Sequence, residues 1–124
     1  MRKITTGSPF EERMAYSRAV VKGGWCFVSG VTGYDYRRMV MPEDVAQQAR
    51  NCFATIADVL DQAGFQMADI VRVQYTVTDP DHVDALAPVL RDYLAHIRPA
   101  ATMVVAGLIR PEMKVEIEVT AMQA

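Results

Sequence analysis

Residues Ile70-Val71-Arg72-Val73-Gln74-Tyr75-Thr76-Val77-Thr78 alternate apolar and polar side chains with a period of two. A strand turns successive side chains to opposite faces, so Val71, Val73, Tyr75 and Val77 are expected on one face and Arg72, Gln74, Thr76 and Thr78 on the other. The end of the chain repeats the pattern, with Val115, Ile117 and Val119 alternating with Lys114, Glu116, Glu118 and Thr120. A sheet built from such strands has one face to bury and one polar face.

The segments flanking residues 70–78 change period. Upstream, Pro42-Glu43-Asp44 forms an acidic helix start, after which Val45, Ala49, Cys52, Phe53, Ile56, Leu60 and Ala63 fall on one helical face until Gly64 stops it. Downstream, Asp79-Pro80 reads as an N-cap followed by proline at the first helical position. Val83, Leu86, Leu90, Leu94 and Ile97 continue an apolar stripe, and Pro88 within it is expected to kink or split the helix. Two strands, Thr102 to Leu108 and Met113 to Ala121, follow, joined through Ile109-Arg110-Pro111-Glu112. Near the start, Tyr16 to Val21 and Trp25 to Ser29 flank Lys22-Gly23-Gly24, the pattern of a β-hairpin. The chain then leaves the strand at Ser29-Gly30, and residues up to Met41 read as a loop able to border a site.

Two amphipathic helices cover only one face of this sheet, which predicts a two-layer α+β domain and leaves the polar face for a subunit interface. A chain of 124 residues with no low-complexity segment or repeat is expected to form one domain spanning 1–124. Its 51% hydrophobic and 23% charged residues are those of a globular protein. A net charge of −2 and a pI near 5.6 give no electrostatic reason to expect nucleic acid or an anionic membrane as partner. With no signal-peptide core or transmembrane run, the expectation is a cytoplasmic protein. Cys26 and Cys52 lie among apolar neighbours, without zinc spacing, and are expected as buried thiols.

Chemistry-bearing motifs are few. No phosphate-cradling glycine loop, zinc spacing or nucleophile elbow is present, and no metal or cofactor is expected. His82 and His96 read as surface residues. Glu116 and Glu118 share one strand face, where two carboxylates buried together would raise each other's proton affinity, unless they are solvated or paired with Arg72. Tyr16 offers a phenol and Ser29-Gly30 a hydroxyl with neighbouring amides, although packing for the first and a plain strand exit for the second are the readings that the residues alone favour.

Taken in order, several motifs resemble the Rid (YjgF) family, also called the L-PSP endoribonuclease-like family, over nearly the whole chain. They are Tyr16-Ser17-Arg18-Ala19-Val20, Val28-Ser29-Gly30, the Gln47 to Gly64 helix, Asp69-Ile70-Val71, Thr78-Asp79, Arg98-Pro99-Ala100-Ala101-Thr102 and Val115-Glu116-Ile117-Glu118. The resemblance implies a chorismate-mutase-like fold with a mixed sheet. It also implies a homotrimer whose sheets face a central barrel, and small-molecule clefts between subunits.

Studied members of that family hydrolyse enamines and imines such as 2-aminoacrylate to 2-keto acids and ammonia. The resemblance makes Glu116 the catalytic, water-handling residue, with Glu118 and Arg72 as second choices. Tyr16, Ser29, Gly30, Ala101, Thr102 and Met103 fall at substrate-binding positions. The chain departs from the family pattern in three places. Ala101 stands where the deaminase pattern has a carboxylate-clamping arginine, Met103 where active members often have cysteine, and Ala87 nearest an expected asparagine. A bidentate charge-assisted contact contributes about 1.5–3 kcal/mol, so its loss weakens a carboxylate roughly 10- to 150-fold unless Arg18, Arg72 or Arg110 replaces it. Three readings stay open: a hydrolase of altered substrate range, a non-catalytic ligand-binding or regulatory module, and, least supported, a ribonuclease or translation inhibitor.

Overall fold

The computed structural model describes all 124 residues, Met1–Ala124. Its strands are β1 (Arg2–Ile4), β2 (Ala19–Lys22), β3 (Trp25–Thr32), β4 (Ile70–Val77), β5 (Ala100–Val105) and β6 (Val115–Met122). They form one sheet of order β1-β2-β3-β6-β4-β5. Every neighbouring pair is antiparallel except β4 and β5, which α3 (Val83–Leu94) connects as a parallel crossover. The sheet is therefore mixed, and α3 and the long α2 (Val45–Gln62) pack on its apolar face, as the alternation implied.

The core lies between those layers. Cys52, Phe53, Ile56, Val59 and Leu60 of α2 meet Val28, Val31, Val73, Tyr75, Ile117 and Val119 of the sheet. Phe53 also stacks on Tyr93 of α3, with centroids 4.6 Å apart. Asp44 caps α2, accepting a hydrogen bond from Gln47 N at 2.9 Å; Asp79 accepts from Asp81 N at 2.8 Å but caps the short turn at Pro80–His82 rather than α3, whose own N-cap, His82, makes no side-chain bond. Gly64, at φ +81°, turns the chain out of α2 in a conformation that glycine adopts at no steric cost. Cys26 and Cys52 are buried, unpaired thiols.

Several boundaries differ from the sequence reading. Val71 is 44% exposed, because the β4–β6 register shifts between Ile70 and Arg72 and hands the first core position to Ile70. Tyr16 lies ahead of β2, and β3 continues through Ser29 to Thr32. Between Val28 and Val31 the pairing with β6 slips by one residue, so Ser29-Gly30 forms a bulge rather than a strand exit. The last crossover strand is Ala100–Val105, not Thr102 to Leu108, and irregular chain runs from 106 to β6. A 3-10 turn at Pro80–His82 precedes α3, which continues past Pro88 and ends at Leu94. Two elements carry no periodic signal and were not expected. One is β1; the other is α1 (Pro9–Arg13), whose N-cap Ser8 accepts from Phe10 N at 3.1 Å and is followed by proline.

The opposite face of the sheet carries Arg72, Gln74 and Thr76 beside Glu116, Glu118 and Thr120, with Thr102 on β5 and a stacked, exposed Trp25–Phe27 pair on β3. No helix covers this face. No helix is long and apolar enough to cross a membrane.

Candidate functional site

The bulge at Ser29-Gly30 organises the residues that bear chemistry. Ser29 is tied back to the strand entrance, its Oγ donating to Ser17 O at 2.7 Å and its amide to Arg18 O at 2.9 Å. Gly30 faces the Glu116 carboxylate: a Cβ at this position would lie 2.6 Å from Glu116 Cδ and 2.9 Å from both carboxylate oxygens. Only a residue without a side chain lets the carboxylate lie this close to the strand.

Arg18 closes the other side of the bulge. It is fully buried, and its Nη1 donates to Gly30 O at 2.8 Å and to Ser29 O at 3.3 Å. The guanidinium lies 5.0 Å from the Tyr36 ring centroid and 5.6 Å from that of Tyr16. Its Nη2 reaches the Tyr16 hydroxyl at 3.4 Å. The Tyr36 hydroxyl in turn is held by Thr32 N at 2.9 Å. Behind Arg18 sits Glu11 of α1, only 5% exposed, with Oε2 at 3.8 Å from Arg18 Nε. Glu11 also accepts from Thr5 Oγ1 at 2.7 Å, from Thr6 N at 3.2 Å and from Thr6 Oγ1.

These surroundings push the two carboxyls in opposite directions. Burial raises the proton affinity of Glu116, the Glu118 charge raises it further, and Arg18 opposes both, leaving it above its ordinary 4.5. Burial also pushes Glu11 up, but hydrogen bonds from Thr6 and Thr5, together with Arg18, outweigh it and hold Glu11 below 4.5. Glu116 is thus the carboxyl suited to exchanging a proton, and Glu11 the one suited to remaining ionised.

The other sequence candidates are dispersed. Tyr16 borders a cleft of about 300 Å³ with Thr5, Ser8, Glu11 and Ser17. Glu118 is exposed on the uncovered face opposite Gln74 of β4. Arg72 donates to Thr102 Oγ1 at 3.3 Å on that same face. Ala101 and Met103 pair with Val73 and Tyr75 and so face the α3 side. Ala101 lines a separate cleft of about 240 Å³ with Tyr75, Leu90, Leu94, Arg91 and Arg98. Within one chain, then, Tyr16, Ser29, Gly30 and Glu116 gather around Arg18, while Ala101 and Met103 lie on the other side of the sheet.

Of the three arginines named as substitutes for the clamp, Arg18 is buried against carbonyls, Arg72 bonds Thr102, and Arg110 lies 4.8 Å over the Phe10 ring. Sequence reasoning missed Glu11, Tyr36, Arg91 and Arg98. A signal existed only for Glu11: Ser8-Pro9-Phe10-Glu11 has the S-x-x-E spacing of a capping box with proline after the cap.

Comparison with known proteins agrees over the whole length. The mitochondrial protein mmf2 of Schizosaccharomyces pombe is 33% identical over 122 residues, covering 96% of this chain and 91% of its own. A crystal structure of a YjgF-family member from Mycobacterium tuberculosis superposes with a TM-score of 0.89 at 36% identity, over 98% of each chain. RidA from an Antarctic Psychrobacter gives a TM-score of 0.85 at 26% identity, over 98% of this chain and 94% of its own. The sequence profile of the endoribonuclease L-PSP family matches residues 6–123, and with these relatives it shows that the chain belongs to that family, the Rid/YjgF proteins.

Proposed function

We propose that the chain is a cytoplasmic homotrimeric hydrolase of small enamines or imines, acting in clefts between subunits, with Glu116 handling the attacking water. In the reaction, water oxygen adds to the imine carbon, the C–N bond breaks, and a carbonyl compound and ammonia leave. Glu116 would take a proton from water and return it to the departing nitrogen, work that favours a carboxyl with raised proton affinity. The observation that carries this reading is the lodging of that carboxyl against Gly30 in the bulge. The absence of a clamp at Ala101 favours substrates that are neutral or anchored through something other than a carboxylate.

The test compares imines with and without a carboxylate, generated in situ, and follows carbonyl formation above the spontaneous rate. Turnover of a neutral imine that Glu116→Gln abolishes supports the reading. No acceleration of any imine overturns it and leaves the ligand-binding module, which the burial of Arg18 against the bulge carbonyls, away from any substrate, favours.

A further inference from the structure

Arg18 is enclosed on every side, and its contacts divide into two sets. Toward β3 it holds the two carbonyls of the bulge, Ser29 O and Gly30 O, from a single nitrogen. Away from β3 it faces Glu11, whose oxygen at 3.8 Å stops short of a hydrogen bond, so Arg18 Nε has no partner. An orphaned donor on a fully buried guanidinium is a cost, which the contacts made by its other nitrogens must offset. Nη1 alone serves the bulge, Nη2 reaches the Tyr16 hydroxyl at 3.4 Å, and Nε is left toward Glu11.

The bulge is also where Gly30 meets Glu116, so the position of the Gly30 backbone determines how far the carboxylate sinks into the strand. We propose that Arg18 is the positioning residue of the Glu116 site, fixing the Ser29-Gly30 bulge through its two carbonyls while Glu11 supplies the counter-charge that lets a guanidinium be buried there. Its relevance to catalysis rests on Glu116 acting as proposed above, but its action on Glu116 does not. The charged and titratable groups facing this arrangement are Glu11 from α1, Tyr16 and Tyr36 from the flanking loops, Cys52 from α2, and Glu116 and Glu118 from β6. Among them Arg18 is the one cation acting on the Glu116 carboxyl, and it favours the ionised form.

The experiment is a carbon-detected NMR titration of the glutamate carboxyls, with Glu116 assigned from Glu116→Gln, in the wild type, Arg18→Lys, Arg18→Met and Arg18→Met/Glu11→Gln. Arg18→Met leaves Glu11 buried without its counter-charge and is expected to lose stability; the double variant removes both charges and keeps the question answerable. In the double variant the Glu116 midpoint should move upward and the Ser29 and Gly30 amide signals should shift. In Arg18→Lys the midpoint should stay near wild type while the amide signals move, because the charge survives and the two-carbonyl hold does not.

A double variant that folds with the wild-type Glu116 midpoint and unmoved bulge signals would show Arg18 to be structural filling and overturn the proposal. Turnover separates the two claims. If Glu116→Gln leaves imine hydrolysis unchanged while the titration moves as stated, the catalytic reading fails and the positioning role stands.

Discussion

The carboxylate of Glu116 and the backbone of Gly30 occupy space that no side chain at residue 30 could share, with only 2.6 Å between Glu116 Cδ and the site of a Gly30 Cβ. Gly33, three residues on, has a different neighbour: its Cβ would lie 2.6 Å from the Cα of Gln48, in the backbone of α2. The two glycines therefore answer differently to the same substitution. Gly30→Ala displaces the end of a flexible side chain, so it should cost about 1 kcal/mol of stability while lowering any Glu116-dependent turnover roughly 10-fold or more. Gly33→Ala must move α2 off β3 and should cost about 3 kcal/mol. Denaturant melts of both variants, with turnover of the first, check the contrast.

Glu116 and Glu118 should separate in activity, and Glu116 should leave a mark on the pH dependence of stability. Glu116→Gln is expected to lower imine turnover roughly 100-fold, the effect of removing a positioned acid or base, and Glu118→Gln to be milder. Stability moves the other way. Because the folded protein raises Glu116 above its unfolded value, the protonated form is favoured in the fold, and the benefit is lost as pH rises through the folded value. Glu116→Gln should thus melt at or above wild type near neutral pH, with the gap closing toward about pH 4, where the carboxyl is protonated folded or unfolded. A gap that widens on acidification contradicts this environment.

Under the proposed function, Ala101→Arg should supply, across a subunit boundary, the carboxylate clamp that the family resemblance implies at this position. Residue 101 is exposed on the edge strand, so the longer side chain has room. Hydrolysis of a carboxylate-bearing imine such as 2-aminoacrylate should rise roughly 10- to 150-fold, with little change for a neutral imine. A wild-type chain already as active on the anionic substrate as Ala101→Arg would mean that another cation, Arg91 or Arg98 in the same cleft, holds the carboxylate.

In dilute solution, light scattering should give a mass about three times the 13.8 kDa of one chain. The motive is the sheet face that no helix covers, with Trp25 and Phe27 exposed on it. A mass of one chain at micromolar concentration would remove both the trimer and the clefts between subunits.

The layers of the fold were legible because the helices and the last strand carry clean periods, as Ile117 and Val119 do on β6 and Ile56 and Leu60 on α2. Bulges broke the reading elsewhere. An extra residue reverses the facing of every later side chain in its strand, which is why Val71 looked like core and Ser29-Gly30 like an exit. The site was legible as a set of residue types along the chain and much less as an arrangement. The motif singled out Glu116 as a candidate, but the Glu11–Arg18 contact joins a five-residue helix to a strand entrance through burial that no local pattern encodes. The separation of Ala101 from Glu116 follows from strand parity, yet it required the register of β5 on β4, which the misjudged start of that strand obscured.

The edge strand β5 has a consequence for handling the protein. From Ala100 to Val105 it bears no charged residue and no proline, and it is bonded only on its β4 side. Val104 and Val105 are 38% and 56% exposed. Natural sheets guard such borders with lysine, proline or a covering segment, because an unguarded one recruits further strands. A solitary chain therefore carries a sticky seam, and if the chain assembles as proposed, substitutions that loosen that assembly should reveal themselves as turbidity on concentration before any well-behaved monomer can be collected.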